Sequence, residues 1–161
     1  MNLNQVKDSL EKSEENDSVE GQQSNTINSL PHRFFEPFIM QGIKLDILEP
    51  GRILCSFTVP PRLVDSKAGN SMHHGAIATL VDWVGASVVY TVGASASGVS
   101  VEINTSFYDP TYLGEEIDID ATALLVGKVI GIVNVELRNK KTGKLIARGR
   151  HTMYMAVPSK L

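Results

Sequence analysis

Asp82 is the residue whose surroundings most directly indicate chemistry, because it lies in the middle of a long apolar stretch. The stretch 71–92 opens with a His-His-Gly turn, and Asp82 is its one charged residue. An ionised carboxylate among apolar neighbours is costly unless it is paired, hydrogen-bonded or catalytic. A carboxylate in such a place can accept a proton from water, so Asp82 is a candidate general base.

The apolar stretch has the periodicity of a buried helix. Its large side chains recur every three or four residues, at Ile77, Leu80, Val81, Val84 and Val88. Its other faces are also mostly apolar, which predicts that the helix is enclosed on all sides. A helix N-terminus carries unpaired N–H groups and a partial positive charge. The N–H groups of His74 and Gly75 would lie there and could bind an oxygen on which negative charge develops.

Strand patterns flank this helix in the sequence. They lie at 43–48, 52–59, 99–107, 117–125, 131–138 and 145–155. The first strand after the helix is expected to place alternate residues on one face, namely Val99, Val101, Ile103, Thr105 and Phe107. Strands joined by short turns, such as the one predicted at 139–143, favour an antiparallel sheet. We therefore predict a two-layer α+β domain, in which a curved antiparallel sheet of about five to six strands wraps around the long central helix.

The composition is that of one globular domain with a polar tail. The chain has 161 residues, of which 42% are hydrophobic, and a net charge of −3, so no nucleic-acid partner is expected. Residues 1–27 are polar and acidic, which predicts a disordered N-terminal tail. The domain is predicted to span 28–156, and 157–161 form a C-terminal tail. The helical stretch is of borderline length for a bilayer and contains polar residues, so no membrane association is expected.

The sequence contains no motif for a cofactor or a metal. It has no glycine-rich phosphate loop, and His32, His73, His74 and His151 lack the spacing of a zinc site. The single cysteine, Cys55, excludes an intramolecular disulfide and fits a reducing compartment. The expected chemistry therefore uses protein groups alone, with no cofactor and no metal.

Several segments, taken in order, resemble one family. Residues 73–82, HHGAIATLVD, resemble the HGG-(x)6-D signature of the hotdog-fold acyl-CoA thioesterases. Further segments are similar to the PaaI-like branch of that family, namely GVSVEIN at 98–104, Pro110, LGE at 113–115, TGKLIA at 142–147 and GRHT at 149–152. The resemblance covers about residues 40–155. It implies a hotdog fold, which agrees with the pattern of helix and strands, and an activity on acyl-CoA thioesters.

The resemblance also implies roles for particular residues. The family's helical Asp, which acts as general base or nucleophile, corresponds to Asp82. The family's serine that positions the attacking water corresponds to Ser100. The backbone N–H that polarises the thioester carbonyl belongs to the first Gly of HGG, and this chain has His74 there. His73 corresponds to the motif histidine, which is more often structural than catalytic, and it is also a candidate for substrate binding.

Other site residues have open alternatives. The family branch has an Asn six residues before the motif histidine; here that place is Lys67, whereas Asn70 lies three before it. Either Asn70 takes that role through a changed loop, or the water-positioning network differs. Lys128 could contact a CoA phosphate or be an ordinary turn lysine. For four residues a structural role is the alternative to a functional one. Asp82 could be a solvated helix residue, Ser100 an ordinary strand serine, His73 a turn residue and Trp83 a packing residue only.

The spacing along the helix favours an active site shared by two chains. Asp82 follows His74 by eight residues, roughly 12 Å at ~1.5 Å per residue, so both cannot reach one small carbonyl. Two antiparallel helices from two subunits would bring Asp82 of one chain beside His74 of the other. We therefore expect a homodimer, and the resemblance implies that such dimers usually pair again into a homotetramer.

The chain ends in Ser159, Lys160 and Leu161, the tripeptide that the peroxisomal import receptor recognises. A given terminal tripeptide arises by chance in about one chain in 8,000 if all residues are used equally. Pro158 would keep the tail extended. We therefore expect a peroxisomal location, with the import receptor as a partner.

These observations together predict a peroxisomal fatty acyl-CoA thioesterase that releases free fatty acid and CoA. Water activated by Asp82 would attack a thioester held by the N–H groups of His74 and Gly75. One alternative is a thioesterase for aromatic acyl groups, such as hydroxynaphthoyl- or benzoyl-CoA. Another is a catalytically weak acyl-CoA-binding protein of the same fold, which the loss of the family Asn and Gly would explain.

Overall fold

The computed structural model describes residues 35–155. The predicted N-terminal tail, both predicted domain boundaries and the C-terminal tripeptide lie outside the described residues. The elements follow in the order α1 (Phe35–Met40), β1 (Ile43–Glu49), β2 (Arg52–Thr58), β3 (Val64–Asp65), β4 (Ser71–Met72), α2 (His74–Val88), β5 (Val99–Phe107), β6 (Glu116–Val126), β7 (Ile130–Asn139) and β8 (Leu145–Tyr154). Helix α2 continues as a 3-10 turn over Val89–Val92.

Six strands form one antiparallel sheet in the order β1-β2-β6-β7-β8-β5. The short strands β3 and β4 pair separately, just before α2. The predicted turn between β7 and β8 is present, and Gly143 adopts the positive φ of 72° that a hairpin turn requires. The sheet and the single long helix confirm the predicted α+β architecture.

The hydrophobic core lies between α2 and one face of the sheet. The predicted helical stripe is fully buried, and it faces inward-pointing residues of four strands, including Ile53, Phe57, Ile119, Val133, Val135, Leu137 and Met153. Burying one such aliphatic side chain stabilises the fold by about 1.5–3 kcal/mol. Helix α1 closes one end of the core with Ile39 and Met40. The periodicities read from the sequence therefore identify the core correctly.

One face of α2 remains outside the core. Thr79, Asp82, Trp83, Ala86 and Tyr90 are only partly buried, and they recur with the period of a helix. The expectation that the helix is enclosed on every face is therefore wrong for the single chain. The run His74–Val92 is long and apolar enough to cross a bilayer by length and composition, with half of it buried. Its packing on the sheet accounts for that apolar character.

Strand β8 lies directly against α2 because two glycines leave room at the crossing. A Cβ atom at Gly149 would overlap the side chain of Val81, and one at Gly85 would lie 3.2 Å from Val135 Cγ2 and 3.6 Å from His151 Nδ1. Since neither glycine has a positive φ, the requirement is for space and not for backbone conformation. This close approach brings His151 onto the helix beside Asp82.

Gly149→Ala is expected to lower the free energy of unfolding by about 1–3 kcal/mol, because the added methyl group overpacks the contact with Val81. Urea unfolding followed by circular dichroism measures the change. Gly127→Ala is the matched control, since the nearest atom to its Cβ would be a carbonyl oxygen at 3.4 Å in an exposed turn. Equal stability of Gly149→Ala and wild type would contradict the tight packing of β8 on α2.

Strand β5 departs from the simple alternation that its sequence predicts. Its pairing with β8 shifts between Ser100 and Glu102, so Val101 is an extra, bulged residue. Val99 and Val101 are 64% and 63% exposed, and Ser100 points to the helix side instead. The prediction that Val99 and Val101 share one face with Ile103, Thr105 and Phe107 is therefore wrong. Beyond the bulge the predicted face is kept, since Ile103, Thr105 and Phe107 lie opposite inward-facing residues of β8.

Candidate functional site

The N-terminus of α2 is capped by a histidine. His73 has extended backbone angles, and its Nδ1 accepts a hydrogen bond from the Gly75 N–H at 3.0 Å. A Cβ atom on residue 75 would lie 2.9 Å from that nitrogen, so the cap requires glycine. The N–H groups of Ala76 and Ile77 donate to the His73 carbonyl. His73 therefore has a structural role at the start of the helix.

Two N–H donors were predicted at the start of α2, those of His74 and Gly75, and only the first is unused within the described part of the chain. It has no hydrogen-bond partner among residues 35–155, whereas the Gly75 N–H is already bonded to His73. The imidazole of His74 stacks on Phe107 at the end of β5, with ring centroids 4.2 Å apart and an angle of 17° between the rings. The side chain that replaces the family glycine is thus held against the sheet, and the backbone donor remains accessible.

Asp82 lies two turns further along, on the partly exposed face of α2. Its side chain is 42% exposed, and its Oδ1 is 3.6 Å from Nε2 of His151. The neighbouring Trp83 packs on the core with part of its surface. The carboxylate is therefore neither sealed in the core nor fully solvated. It can meet a water molecule and a substrate from outside the chain.

Ser100 and Asp82 converge on the same histidine. The Ser100 Oγ and His151 Nε2 are 2.9 Å apart and share a hydrogen bond. His151 is 1% exposed. Burial lowers the pKa of His151, while the charge of Asp82 and a contact with its backbone act in the opposite direction. The net result is an imidazole that resists protonation between a serine hydroxyl and a carboxylate.

Other predicted site residues lie apart from this cluster. Asn70 adopts a positive φ of 61°, and its backbone bonds Asp65 and Leu113, which gives it a role in shaping the loop. The N–H of Lys67 donates to the Asp65 carboxylate in the same loop. Lys128 is exposed in the turn between β6 and β7. Contacts of Asn70 and Lys128 with a substrate stay predictions.

His151 is the residue of the cluster to which the sequence assigned no role. Two signals pointed to it: it lies in the GRHT segment that resembles the family, and it occupies an inward position of the alternating strand β8. Among the described residues, no group of three or more His, Cys, Asp or Glu side chains could hold a metal ion. Asp82, Ser100 and His151 form the candidate site, with the His74 N–H at the start of the helix that carries Asp82.

The lowered pKa of His151 predicts a pH dependence of stability. An unfolded histidine takes up a proton near pH 6.5, and the folded protein resists this protonation. The contribution of His151 is therefore fully present above pH 6.5 and is lost as the pH falls below that value. Urea unfolding between pH 5 and 8 should show wild type losing more stability on acidification than His151→Gln, which cannot titrate. Parallel curves for the two proteins would contradict the assigned shift.

Comparison with known proteins identifies the family of this chain. Residues 69–146 match the thioesterase superfamily. Acyl-coenzyme A thioesterase 13 of Homo sapiens is 38% identical over 117 residues, which are 73% of this chain and 82% of the relative. Thioesterase superfamily member 2 from zebra fish is 28% identical, with a TM-score of 0.76 over 97% of this chain and 99% of that one. The Mus musculus protein of that name is 34% identical, with a TM-score of 0.68 over 73% and 85% of the two chains. The predicted family is thus confirmed, and the chain belongs to the thioesterase superfamily as a thioester hydrolase with the hotdog fold.

Proposed function

We propose that this thioesterase hydrolyses fatty acyl-CoA to free fatty acid and CoA. The relatives named acyl-coenzyme A thioesterase support CoA thioesters as the substrate class. The observation that carries the proposal is the half-exposed carboxylate of Asp82 beside the pair formed by Ser100 and His151. A base next to a hydroxyl, in a place open to water, is what hydrolysis of a thioester needs.

The proposed reaction begins with a water molecule between Asp82 and Ser100. Asp82 takes a proton from this water as its oxygen attacks the thioester carbonyl carbon. The carbonyl oxygen, which becomes negative, accepts a hydrogen bond from the His74 N–H at the positive end of α2. The C–S bond then breaks, and the proton held by Asp82 passes to the departing sulfur, so that CoA leaves as the thiol, the acyl group leaves as the carboxylic acid and Asp82 is again ionised. Every step uses protein groups and water.

In this proposal two chains form each site. Asp82 and His74 of one chain are eight residues apart on one helix, roughly 12 Å at ~1.5 Å per residue. One thioester cannot reach both, but Asp82 of one subunit and His74 of an antiparallel partner helix can lie on either side of it. The active site would therefore lie at a dimer interface.

The free edge of β5 supports this dimer. Its outer side has no strand neighbour among the described residues, and it exposes Val99, Val101, Ile103 and Phe107. A nine-residue edge with four exposed apolar side chains is a surface on which another strand can pair. Both edge strands contain a bulge, but the opposite edge, β1, exposes three charged residues, Lys44, Asp46 and Glu49, where β5 exposes one, Glu102. β5 is thus the edge that a second copy would cover, and Ser100 lies on it.

A panel of thioesters tests the proposed function. Thiol release is measured with purified protein on acyl-CoAs of short, medium and long aliphatic chains and on benzoyl- and hydroxynaphthoyl-CoA. We expect the highest kcat/KM on aliphatic substrates. A preference for the aromatic substrates would overturn the fatty acyl assignment. Tight binding of CoA esters without turnover would show a binding protein instead of an enzyme. Sedimentation of the same sample determines whether dimers pair into the tetramer that we also propose.

We propose delivery to peroxisomes on the evidence of the terminal tripeptide at 159–161. A fluorescent protein fused to the N-terminus leaves the native C-terminus free for the import receptor. The fusion should colocalise with a peroxisomal marker, and removal of the last three residues should leave it in the cytosol. A full-length fusion that stays diffuse in cells with working import would overturn this location.

A further inference from the structure

The outer face of the sheet, which points away from α2, carries side chains that the candidate site does not use. In β8 the side chains of Arg150, Thr152 and Tyr154 belong to this face, because the residues that alternate with them are buried against the core. Residues directly opposite one another in an antiparallel ladder share a face. The strand pairing therefore identifies which side chains of β5, β7 and β6 lie beside these three.

Two neighbouring rows at one end of the outer face are mainly apolar. These rows, which we call the apolar patch, run across β5, β8, β7 and β6 and consist of Val99, Tyr154, Ile130, Thr152, Ile132 and Leu125. Val99, Leu125 and Tyr154 are 64%, 51% and 49% exposed. Contiguous exposed apolar side chains of this kind mark a surface that contacts a protein or a membrane.

A polar recess adjoins the apolar patch. In the next row Arg150 lies between Asn104 and Asn134, and this row lines a recess of about 360 Å³. Arg148, which also lines it, forms an ion pair within the chain, whereas Arg150 has no hydrogen bond or ion pair among residues 35–155. Among the described residues, the lining contains one carboxylate, that of Glu102. A free guanidinium between two amides is suited to bind the oxygens of a phosphate group.

The apolar patch is too small for a stable contact between two proteins. Two rows on four strands cover roughly 270 Å², at ~4.8 Å between strands and ~3.4 Å per residue. A stable protein interface buries about 800 Å² on each partner. Binding to a membrane surface requires less apolar area, because attraction between basic side chains and lipid phosphate adds to the burial. Lys128, exposed in the turn before Ile130, has no ion pair among the described residues, so basic side chains lie on two sides of the patch.

We propose that the apolar patch and Arg150 bind the surface of a phospholipid membrane. Leu125 and Tyr154 enter the layer of lipid headgroups, and Arg150 binds a lipid phosphate in the recess. The expectation of no membrane association concerned the apolar helix α2, which packs on the opposite face of the sheet. Strand pairing at the β5 edge uses backbone groups, so the proposed dimer leaves this face open.

Flotation of the full chain with lipid vesicles tests the proposal. Wild type should float with vesicles of phosphatidylcholine and phosphatidylserine, at about four parts to one, and should bind galactolipid vesicles, which lack phosphate, at least about tenfold more weakly. Leu125→Asp should weaken binding to the phospholipid more than about tenfold. Arg150→Gln should weaken it about fivefold, the contribution of one basic residue near the surface.

Two variants at the opposite end of the sheet are the matched controls. Leu113→Asp and Lys141→Gln make the same kinds of change at an exposed leucine and an exposed lysine, and both should bind like wild type. No binding of wild type, equal binding of all the variants, or equal binding to both kinds of vesicle would overturn the proposal. Sedimentation should show the wild-type oligomer for Leu125→Asp; a loss of assembly would show that a second copy covers the patch, which would also overturn it.

A fluorophore on an introduced cysteine locates the contact. Cys55 is buried, and this burial raises the pKa of its thiol to about 12, so the native cysteine does not react with the label. A label on Leu125→Cys should shift its emission to the blue when phospholipid vesicles are added, whereas a label on Leu113→Cys should not. No shift for the first variant would overturn the proposal. Neither flotation nor fluorescence needs turnover, so a failure of membrane binding is distinct from a failure of the proposed hydrolysis.

Discussion

Asp82→Asn is expected to reduce kcat for acyl-CoA hydrolysis about 10²–10⁴-fold, the usual contribution of a general base. Asparagine keeps the shape of the side chain and can still bond a water molecule, but it cannot take the proton. KM should change little, because the carboxylate acts on the water and not on the bound CoA. Steady-state kinetics on the best substrate of the panel measure both constants.

The control for this variant is Asp46→Asn, which removes one negative charge from the exposed edge strand β1. It should have wild-type kcat and KM, since β1 is at the far side of the sheet from β5. Circular dichroism and thermal unfolding establish that both variants are folded. A kcat for Asp82→Asn within about threefold of wild type would remove Asp82 from the role of base, because a general base is worth far more.

The local patterns of the sequence were sufficient to predict the architecture. Period-two alternation identified Val133, Val135 and Leu137 as inward residues of β7, and period-three-four spacing identified the buried stripe of α2. Each of these predictions depends only on residues within one element. A buried face repeats its own residue type along the chain, so periodicity is enough to find it.

The parts of the site that the sequence did not predict depend on contacts between distant segments. The bulge at Val101 is a property of the register between β5 and β8, and no residue type within β5 requires it. Sequence alternation alone placed Val99 and Val101 on one face with Ile103. Likewise, His151 reaches Asp82 because Gly85 and Gly149 let strand and helix touch. Gly85 and Gly149 are 64 positions apart, and a single sequence does not show that two such distant glycines lie at the same contact.

At the start of α2, a contact between residues that are close in the sequence also escaped prediction. The sequence placed the N–H groups of both His74 and Gly75 at the helix terminus, and both are there. It could not show that the ring of His73 turns back and bonds the second of them. Side-chain capping by histidine depends on a rotamer choice, so it became visible only in three dimensions. The proposed oxyanion site therefore narrows to one backbone donor per chain.

Val101→Asp is expected to convert the proposed dimer into monomers and to reduce kcat/KM by more than about 100-fold, because a charge added on the pairing edge opposes strand addition. Val101 is on the free edge strand and is 63% exposed. The control is Val129→Asp, which adds the same charge at a valine that is 53% exposed in the turn between β6 and β7. Sedimentation and kinetics should show monomers without activity for the first variant, and wild-type assembly and activity for the second. Active monomers of Val101→Asp would contradict the shared site.

Hybrid dimers test whether each active site needs residues from both chains. Such a need would explain why the monomers lose activity. His74→Pro removes the proposed N–H donor, and proline is well tolerated at the first position of a helix. His73, with φ −63° and ψ 131°, already has the backbone angles that precede a proline. His74→Ala, which keeps the N–H, is its control. When His74→Pro and Asp82→Asn chains are unfolded and refolded together, about half of the dimers are hybrids, and each has one intact site. The mixture should recover about one quarter of the wild-type activity, whereas each variant alone stays inactive. A mixture without activity, in which mass spectrometry detects the hybrid dimers, would mean that His74 and Asp82 serve the same site within one chain.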